Sequence, residues 1–416
     1  IRSDAKGITE REIHGIKAVH HIDGITRLLL AEETIHAYDR TSVRINANVA
    51  LATHGEAISE DLGSGDGRDT FQTFTLAKAP LTHVAEANET GCVSTLRIRV
   101  NGQLWRPIPA LGQAGPEDAV YEILQPDNGT TQVRFGDGLT GRRLPTGERN
   151  ITATYRTGIG FDGEVPEEAI SQLRSRPLGI RSAVNPTAAT GSADRETLQR
   201  ARLIAPGKIK TMGRIISLKD YEDFAQSFAG VGKTLVRQLW SGQQKVIHLT
   251  IAPEADSNFT NSDPLLARLS ESISDNRDPH GEVVIQPYRR RYFSMTARIT
   301  IDPTYLSEDV IGWSRQAIES RFGYGERPLA QSVSAAEVIS TLQATKGVKS
   351  VDLDALALLN DGDGPSATSL VIQSLLPAAP ALGPGQRSQD GVFWPAELLL
   401  VLPSALTLIP VKASDA

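Results

Sequence analysis

Hydrophobic and polar positions alternate along the first part of the chain, and helical spacing appears only later. Between residues 70 and 160, runs such as "TLRIRVNGQLW" and "NITATYRTG" have the period of two that is typical of half-buried strands. Residues 1–69 contain similar strand-like pieces broken by glycine and aspartate. The pattern predicts a β-rich N-terminal segment over residues 1–69 and an all-β module over residues 70–160.

Two turn signals stand out in the all-β module. Asn101-Gly102 separates two alternating segments, which is typical of a two-residue β-hairpin. The run "FGDGLTGRRLPTG", residues 135–147, predicts a second hairpin turn. In it, Gly136 and Gly138 would supply positive φ.

The side chains of this glycine-rich run suggest two uses. Asp137 would either accept hydrogen bonds from nearby amides or help to hold a cation. A calcium loop needs several acidic or amide residues, and only one aspartate is present, so the turn is the better explanation. Arg142 and Arg143 would project outward and be available to a neighbouring subunit.

Beyond residue 160 the pattern changes. Residues 161–205 show little apolar periodicity and several prolines, which predicts an extended connector ending in a short helix. After it, "SLKDYEDFAQSFAGVGKTLV" and "SAAEVISTLQATKGVKSVDL" repeat one unit: a capped helix, a glycine and a strand. The predicted fold class is a multidomain α+β protein, with ferredoxin-like modules at residues 206–287 and 288–360. Residues 361–416 would form an extended tail that wraps back and ends in a strand at "ELLLVL".

The composition narrows the function classes. Forty-three basic and 49 acidic residues give a net charge of −6, so nucleic acid is not an expected partner. The single cysteine, Cys92, cannot form an internal disulfide, which favours folding in a reducing compartment. Apolar runs stay well short of the roughly 18–20 residues that a membrane-spanning helix needs. Because the chain opens without methionine or a leader, we expect that an N-terminal portion is missing.

Candidate chemistry is sparse. "GVGKT" lacks the earlier glycine of a phosphate-binding loop, and the adjacent His20 and His21 would point to opposite faces of a strand. Asp352 and Asp354 would share a strand face, either as paired catalytic carboxylates or as a solvated face. We predict no catalytic, cofactor or metal site, and therefore no enzyme.

The cluster "YRRRYF" is the other candidate surface. Its Arg289, Arg290, Arg291 and Tyr292 have the composition of a subunit interface, because arginine forks and aromatic faces pack well there. The same stretch would also suit the start of an exposed edge strand, where charge discourages aggregation. The two interpretations are compatible.

Three motifs in succession resemble the baseplate J-like family of contractile phage tails and related injection systems, over about residues 120–360. They are "FGDGLTGRRLPTGERNITATYRTGIGFDGEV", "NPTAATGSADRETLQRAR" and "SLKDYEDFA". The wording around "GRRLPTGERN" is closest to the injection-system branch. One departure is Gly191-Ser192, where many members have two glycines. The motif positions are Phe135, Gly136, Asp137, Gly138, Pro145, Gly147, Tyr155, Gly158, Asn185, Pro186, Gly191, Asp194, Glu196, Asp220 and Tyr221.

The resemblance implies a structural role. A family member would be a baseplate wedge subunit, present in multiple copies around a sixfold ring, and would need no cofactor. It would contact a second wedge protein, the central hub and spike, and the sheath-side proteins, and would help to trigger contraction. It would assemble in the cytoplasm and then form part of the particle. A carbohydrate- or surface-binding β-module is the alternative, and it requires exposed aromatic side chains such as Trp105.

Overall fold

The computed structural model describes two compact units. One comprises residues 1–82 and 94–194, and the other residues 83–93 and 195–416. The description omits residues 6–7, 32, 35–37, 47–48, 51, 127–128, 159, 176–177, 190, 199–200, 203, 206–213, 258, 262, 279–280, 360–370, 387–391 and 413–416. Part of the helix predicted at the end of the connector, and the tail segment "DGDGPSATSL", therefore lie outside the described residues.

The described residues form many strands and four α-helices of nine residues or more, so the fold is mixed and β-rich. The helices are α1 (Leu218–Ser227), α2 (Pro264–Asn276), α3 (Ser307–Arg321) and α4 (Ala335–Gln343). The strands are β1 (Arg2–Ala5), β2 (Ile8–Arg11), β3 (Ile16–Ile22), β4 (Ile25–Leu30), β5 (Glu56–Gly65), β6 (Thr73–Thr75), β7 (His83–Ala85), β8 (Cys92–Ser94), β9 (Arg97–Val100), β10 (Gln103–Ile108), β11 (Val120–Leu124), β12 (Gln132–Phe135), β13 (Gly147–Thr157), β14 (Val231–Trp240), β15 (Lys245–Pro253), β16 (Glu282–Pro287), β17 (Arg289–Ile301), β18 (Val333–Ser334), β19 (Val348–Leu358), β20 (Leu375–Leu376) and β21 (Glu397–Lys412).

A seven-stranded, nearly closed barrel dominates the first unit. Its strands follow the order β5-β13-β9-β10-β11-β12-β6. The ends of this order approach each other, because the ring of Phe74 on β6 packs over Gly63 on β5, where a Cβ atom would come within 2.9 Å. Strand β9 shows why the barrel forms: its arginines face out while Ile98 and Val100 are buried. The ring of Phe135 packs edge-on against Trp105 in the core, with centroids 5.5 Å apart.

The first of the two predicted hairpins is confirmed. Strands β9 and β10 pair antiparallel, with Val100 opposite Gln103, and Asn101 and Gly102 form the loop between them. Both loop residues have positive φ, 49° and 78°, as the type I′ turn of a tight hairpin requires.

The second predicted hairpin is wrong. Strand β12 pairs with β11 and β6, whereas β13 pairs with β5 and β9, so the glycine-rich run joins two strands that are not neighbours in the sheet. Gly138 has the predicted positive φ, whereas Gly136 does not. Local turn chemistry also does not determine which strands pair. This choice depends on contacts between strands distant in sequence, such as β13 with β5.

The N-terminal strands form separate two-stranded pairs, β1 with β2 and β3 with β4. The described residues between β4 and β5 contain no further strand, and β5, the last strand of the predicted N-terminal segment, belongs to the barrel. The boundaries of the domains predicted from the sequence stay predictions.

The second unit contains two three-stranded sheets. In the first, β14 pairs antiparallel with β15, and β15 pairs parallel with β16. Helices α1 and α2 supply the other half of the core of this sheet. Its buried residues include Tyr221, Phe224, Phe228, Leu249, Ile251, Leu265, Leu269 and Ile273.

The second sheet has the order β19-β17-β21, with helices α3 and α4 against it. Strand β17 pairs antiparallel with β19 and parallel with β21. The last predicted strand is therefore present, and it is longer than "ELLLVL" alone. The buried residues of the core of this sheet include Phe293, Met295, Ile299, Phe322, Leu342, Leu356, Leu399 and Leu406.

The ferredoxin-like interpretation of the two modules is not confirmed. Each sheet has three strands, and β21 of the second sheet comes from the far end of the chain. The prediction of an edge strand at "YRRRYF" is wrong as well, because β17 is the central strand of its sheet. Sequence periodicity identified the helices and strands, but it carries no information on such distant pairings.

Candidate subunit interface

The glycine-rich loop, residues 136–146, is a closely packed backbone structure. A Cβ atom on Gly136 would lie 2.2 Å from the carbonyl oxygen of Gly141, so the chain can close here only without a side chain. Gly138 and Gly141 both have φ of 88°, and the amide of Gly138 donates to the carbonyl of Gly141 (2.9 Å).

Asp137 organises the same loop. One oxygen of its carboxylate accepts hydrogen bonds from the amides of Leu139 (2.9 Å) and Thr140 (2.7 Å) and from the Thr140 hydroxyl (3.0 Å). The Thr140 amide, followed by the Leu139 amide, lowers the pKa of Asp137. Asp137 therefore serves the turn, as the simpler interpretation of the sequence predicted.

The two arginines of the loop bind different kinds of partner: Arg143 binds backbone carbonyls, and Arg142 binds a carboxylate. The guanidinium of Arg143 donates to the carbonyl of Asp137 (3.0 and 2.7 Å) and to that of Gly67 (3.3 Å). Arg142 is half-buried and pairs with the exposed Glu117 (3.2 Å). Arg143 thus holds backbone together, while Arg142 retains a partly exposed charge. Their role at a subunit interface stays a prediction.

The second motif closes a loop in the connector. The side-chain nitrogen Nδ2 of Asn185 donates to the carbonyls of Pro166 (2.8 Å) and Thr187 (3.0 Å). Its side-chain oxygen Oδ1 accepts from the backbone amide of Ile170 (2.9 Å). Backbone hydrogen bonds add to the closure, from Glu168 to the Asn185 carbonyl (3.0 Å) among others. We call residues 166–185 the clasped loop.

The remaining motif residues also have local structural roles. Gly191 has φ of 86°, whereas Ser192 has no positive φ, so the Gly191-Ser192 turn requires only one glycine. Ser217 and Asp220 form the predicted capping box at the start of α1, with the Ser217 amide donating to Asp220 (2.7 Å). This hydrogen bond lowers the pKa of Asp220. Tyr221 is buried in the core beneath the helix.

The arginine cluster at the start of β17 is engaged within its own unit. Arg290 donates to the carboxylate of Asp256, to the carbonyl of Ser257 (2.8 Å) and to the hydroxyl of Tyr288 (2.7 Å). Burial raises the pKa of Tyr288 to about 12, and the hydrogen bond from Arg290 opposes this shift. The pKa of Arg290 is also raised: burial lowers it, but Tyr288 and Asp256 outweigh burial.

The neighbours of Arg290 in the cluster are likewise half-buried. The guanidinium of Arg289 lies 5.0 Å from the ring centroid of Trp394 and 4.0 Å from the carboxylate of Glu397. Tyr292 packs against the small core that contains Leu398. The predicted interface residues of this cluster are therefore partly occupied by contacts inside the unit.

Glu397 is a buried carboxylate beside Arg289 that the sequence pattern did not single out. It is buried, and its carboxylate accepts from the amide of Ala379 (2.9 Å). The signal was present, because Glu397 is a charged residue at the start of the apolar run "ELLLVL".

The paired aspartates of β19 form an ion-pair network. Arg298 donates to Asp352 (2.6 Å) and to both oxygens of Asp354 (2.7 and 3.0 Å). Asp354, followed by Asp352, raises the pKa of Arg298. Because the guanidinium of Arg298 already binds both carboxylates, this face fits the solvated-strand interpretation better than an acid/base pair.

Membrane-spanning helices and metal-binding clusters are both absent from the described residues. Within this part of the chain, no helix has the length and apolar character needed to cross a membrane. Within the same residues, no group of three histidine, cysteine, aspartate or glutamate side chains is arranged to hold a metal ion.

Comparison with known families identifies the first α+β region. Residues 213–286, which contain α1, β14, β15, α2 and β16, match the family "Baseplate J-like central domain". This part of the chain is similar to a baseplate J-like central domain. The match supports a baseplate component of a phage tail-like system, and it confirms the family resemblance seen in the sequence. It begins close to the "SLKDYEDFA" motif and covers a narrower part than the three motifs together.

Comparison with solved structures gives a similarity to a chain in "Cryo-EM structure of the anti-feeding prophage (AFP) baseplate, 6-fold symmetrised". The two chains are 14% identical, the alignment covers 78% of this chain and 73% of the other, and the TM-score is 0.33. No curated protein matches this chain.

Proposed function

We propose that this chain is a structural wedge subunit in the baseplate of a phage tail-like contractile injection system. The observation that carries the proposal is the match of residues 213–286 to the baseplate J-like central domain. In this role the chain would be present in multiple copies around a sixfold ring and would contact a second wedge protein. It would also join the hub and spike to the sheath side and help to trigger contraction.

The architecture supports a role in binding rather than in catalysis. The motif residues of the described chain hold turns, caps and loop closures, as Asp137, Asn185 and Asp220 do. The one pair of carboxylates that resembled a catalytic pair is bridged by Arg298. These features suit a non-enzymatic protein that assembles in the cytoplasm and then works as part of a particle.

The carbohydrate-binding alternative loses its main candidate. Sugar-binding sheets use exposed aromatic rings, but Trp105 is 3% exposed and belongs to the barrel core. We therefore retain the baseplate role alone.

The test is electron microscopy of lysates from the native host, with and without this gene. Deletion is expected to abolish complete sheath–tube particles, and the wild-type gene supplied in trans is expected to restore them. Unchanged particle numbers and shape after deletion would contradict the proposal. Particles that assemble but fail to contract would keep the chain in the baseplate and assign it to triggering.

A further inference from the structure

Residues 170–184 form a basic stretch of the clasped loop on an acidic chain, whereas Glu167 and Glu168 lie at the start of the loop. Residues 170–184 contain three arginines and no aspartate or glutamate, although the whole chain carries a net charge of −6. Two of these arginines, Arg174 and Arg181, are described and exposed. The side chain of Arg174 is 89% exposed and reaches Glu56 of the same unit at 3.6 Å. Such an exposed pair contributes little to stability, about 0–1 kcal/mol.

The two arms of the loop line a small, half-open polar cavity of about 230 Å³. Its lining residues are Ser171, Gln172, Leu173, Arg181 and Ser182. A guanidinium, two hydroxyls and a side-chain amide offer several hydrogen-bond donors to one acceptor group. Arginine recognises carboxylates through charge-assisted and often bidentate hydrogen bonds. The cavity therefore has the chemistry to accept an aspartate or glutamate side chain.

Exposed apolar side chains lie on the same loop. Leu178 is fully exposed, and Ile170, Ile180 and Val184 are each about half exposed. Four exposed aliphatic side chains on one short loop, next to an anion-accepting cavity, match the usual anatomy of a binding surface, in which apolar contacts surround a few directed polar contacts.

The clasp makes this surface suitable for binding. Two side-chain hydrogen bonds join Asn185, at one end of the loop, to Pro166 and Ile170 at the other end, and the amide of Ala189 donates to the carbonyl of Val165 (2.8 Å) just outside the loop. A loop whose ends are already held loses less conformational entropy on binding than a flexible one.

From these features we infer that the clasped loop docks on a different protein subunit of the particle. The partner surface presents an aspartate or glutamate to the cavity beside Arg181 and an apolar patch to Leu178 and Ile180. The inference rests on the proposed baseplate function and names the chemistry of one partner surface.

Other partner classes fit the loop less well. Residues 170–184 contain no aromatic side chain, whereas single-stranded nucleic acid is held by stacking on aromatic rings. Membrane recognition by charge uses clusters of about four to eight basic residues, and the loop has three. Two copies of this chain, each with net charge −6, repel each other overall, which favours a different protein.

The first test supplies gene variants to the deletion strain. A loop variant carries Arg181→Glu and Leu178→Ser, and a control variant carries Arg68→Glu and Arg97→Glu, two exposed arginines elsewhere in the same unit. We expect the loop variant to give at least about tenfold fewer complete particles than wild type, because like charges placed together at an interface cost several kcal/mol. The control variant is expected to match wild type.

The outcomes separate the two proposals. Full restoration by wild type, control and loop variant alike would overturn the docking inference and leave the baseplate function standing. If the deletion itself changes nothing, both fail. Circular dichroism and urea unfolding of the purified variants show whether the loop variant is folded, and an unfolded variant is replaced by Arg181→Gln with Ile180→Ser.

The second test identifies the partner surface in assembled particles. A photoreactive amino acid replaces Ser175, an exposed position on the loop. We expect a cross-link to a peptide of a different particle protein with aspartate or glutamate near the linked residue, and at least about tenfold less of it when Arg181→Glu is present. Cross-links only to a second copy of this chain, to nucleic acid or to lipid, or no cross-link at all, would overturn the inference.

Discussion

The arginine cluster of β17 and the clasped loop are both basic stretches, yet the structure uses their charges in opposite ways. Arg290 lies at the start of a central strand, where Asp256 and Tyr288 of the same unit accept its hydrogen bonds. Arg181 lies on an exposed loop beside a polar cavity. The comparison teaches that a run of arginines is a better candidate for an interface where the same unit supplies few hydrogen-bond acceptors to the guanidinium groups.

The largest expected effect comes from Arg327, a buried arginine whose hydrogen-bond acceptors all belong to its own unit. Arg327 is 1% exposed and donates to the carbonyls of Gln331 and Ser332 (both 2.8 Å) and to Glu337 (3.2 Å). We expect Arg327→Ala to lower the free energy of unfolding of its unit by about 3–5 kcal/mol, measured by urea denaturation.

Arg321 provides the matched control, because it contacts the same Glu337 at 2.9 Å but is half exposed. Arg321→Ala is expected to cost about 1 kcal/mol or less. Similar losses of unfolding free energy for the two variants would mean that burial does not determine how much an arginine contributes to the stability of this unit.

The second prediction concerns Arg290. Arg290→Gln removes the charge-assisted hydrogen bonds to Asp256 and Tyr288, and we expect a loss of about 2 kcal/mol in the same measurement. Arg142→Gln is the control, since Arg142 has the exposed Glu117 as its partner (3.2 Å), and its effect on stability is expected to be close to zero. If Arg290→Gln left the free energy of unfolding unchanged, the hydrogen bonds of Arg290 would not stabilise the unit, and Arg290 would behave as an ordinary surface arginine.

The third prediction concerns the clasp. Asn185→Asp keeps the oxygen that accepts from Ile170 but removes the donor to Pro166 and Thr187. We expect trypsin to cleave after Arg174 and Arg181 about fivefold faster, as the loss of about 1 kcal/mol of local closure implies. Mass spectrometry of the fragments gives the rate at each site.

Asn150→Asp serves as the control for this cleavage. Asn150 bridges the amide of Gly65 (2.9 Å) and the carbonyl of Pro145 (3.1 Å) in the same unit but away from the loop. Equal acceleration by both variants would show a general loosening of the unit instead of a local opening of the clasped loop.

The smallest expected effect is the acid sensitivity of the α1 cap. Hydrogen bonds from backbone amides lower the pKa of Asp220 in the folded chain. A carboxyl group with a lowered folded pKa stabilises the fold above its unfolded pKa of about 4, and this contribution is lost as the pH falls through the folded pKa. Asp220→Asn should therefore reduce the difference in urea midpoint between pH 7 and pH 3. An unchanged difference would show that the cap does not titrate in this range.

The sequence predicted most local features and few distant ones. The Asn101-Gly102 hairpin, the capping box of Ser217 and Asp220, and the helix–glycine–strand repeat with φ of 89° at Gly230 and 84° at Gly347 all depend on neighbours within a few residues. Such features follow from backbone and side-chain chemistry that the sequence displays directly.

The rest depends on pairings that no local pattern encodes. The connection from β12 to β13 resembled a hairpin because its residues suit turns, but β5 and β9 compete successfully for β13. The start of β17 resembled an edge because it is charged, but Glu397 lies opposite Arg289 on β21. For the candidate site, the sequence named Asn185 as a motif residue, while its role as a clasp required the position of Pro166.

The parallel pairing of β17 with β21 has a consequence for how the protein is made. Residues 397–401 and 406–412 pair with a strand that begins at Arg289, so this sheet stays incomplete while more than a hundred residues are synthesised. Between residue 360 and the end of β21, translation at roughly 5–20 residues per second takes about 3–10 seconds. During this time the β17 edge and the apolar face opposite Leu399 and Leu406 are open on the ribosome. A chain that ended before β21 would lack the strand that pairs with this edge of β17, and we expect its sheet to be less stable than the complete one.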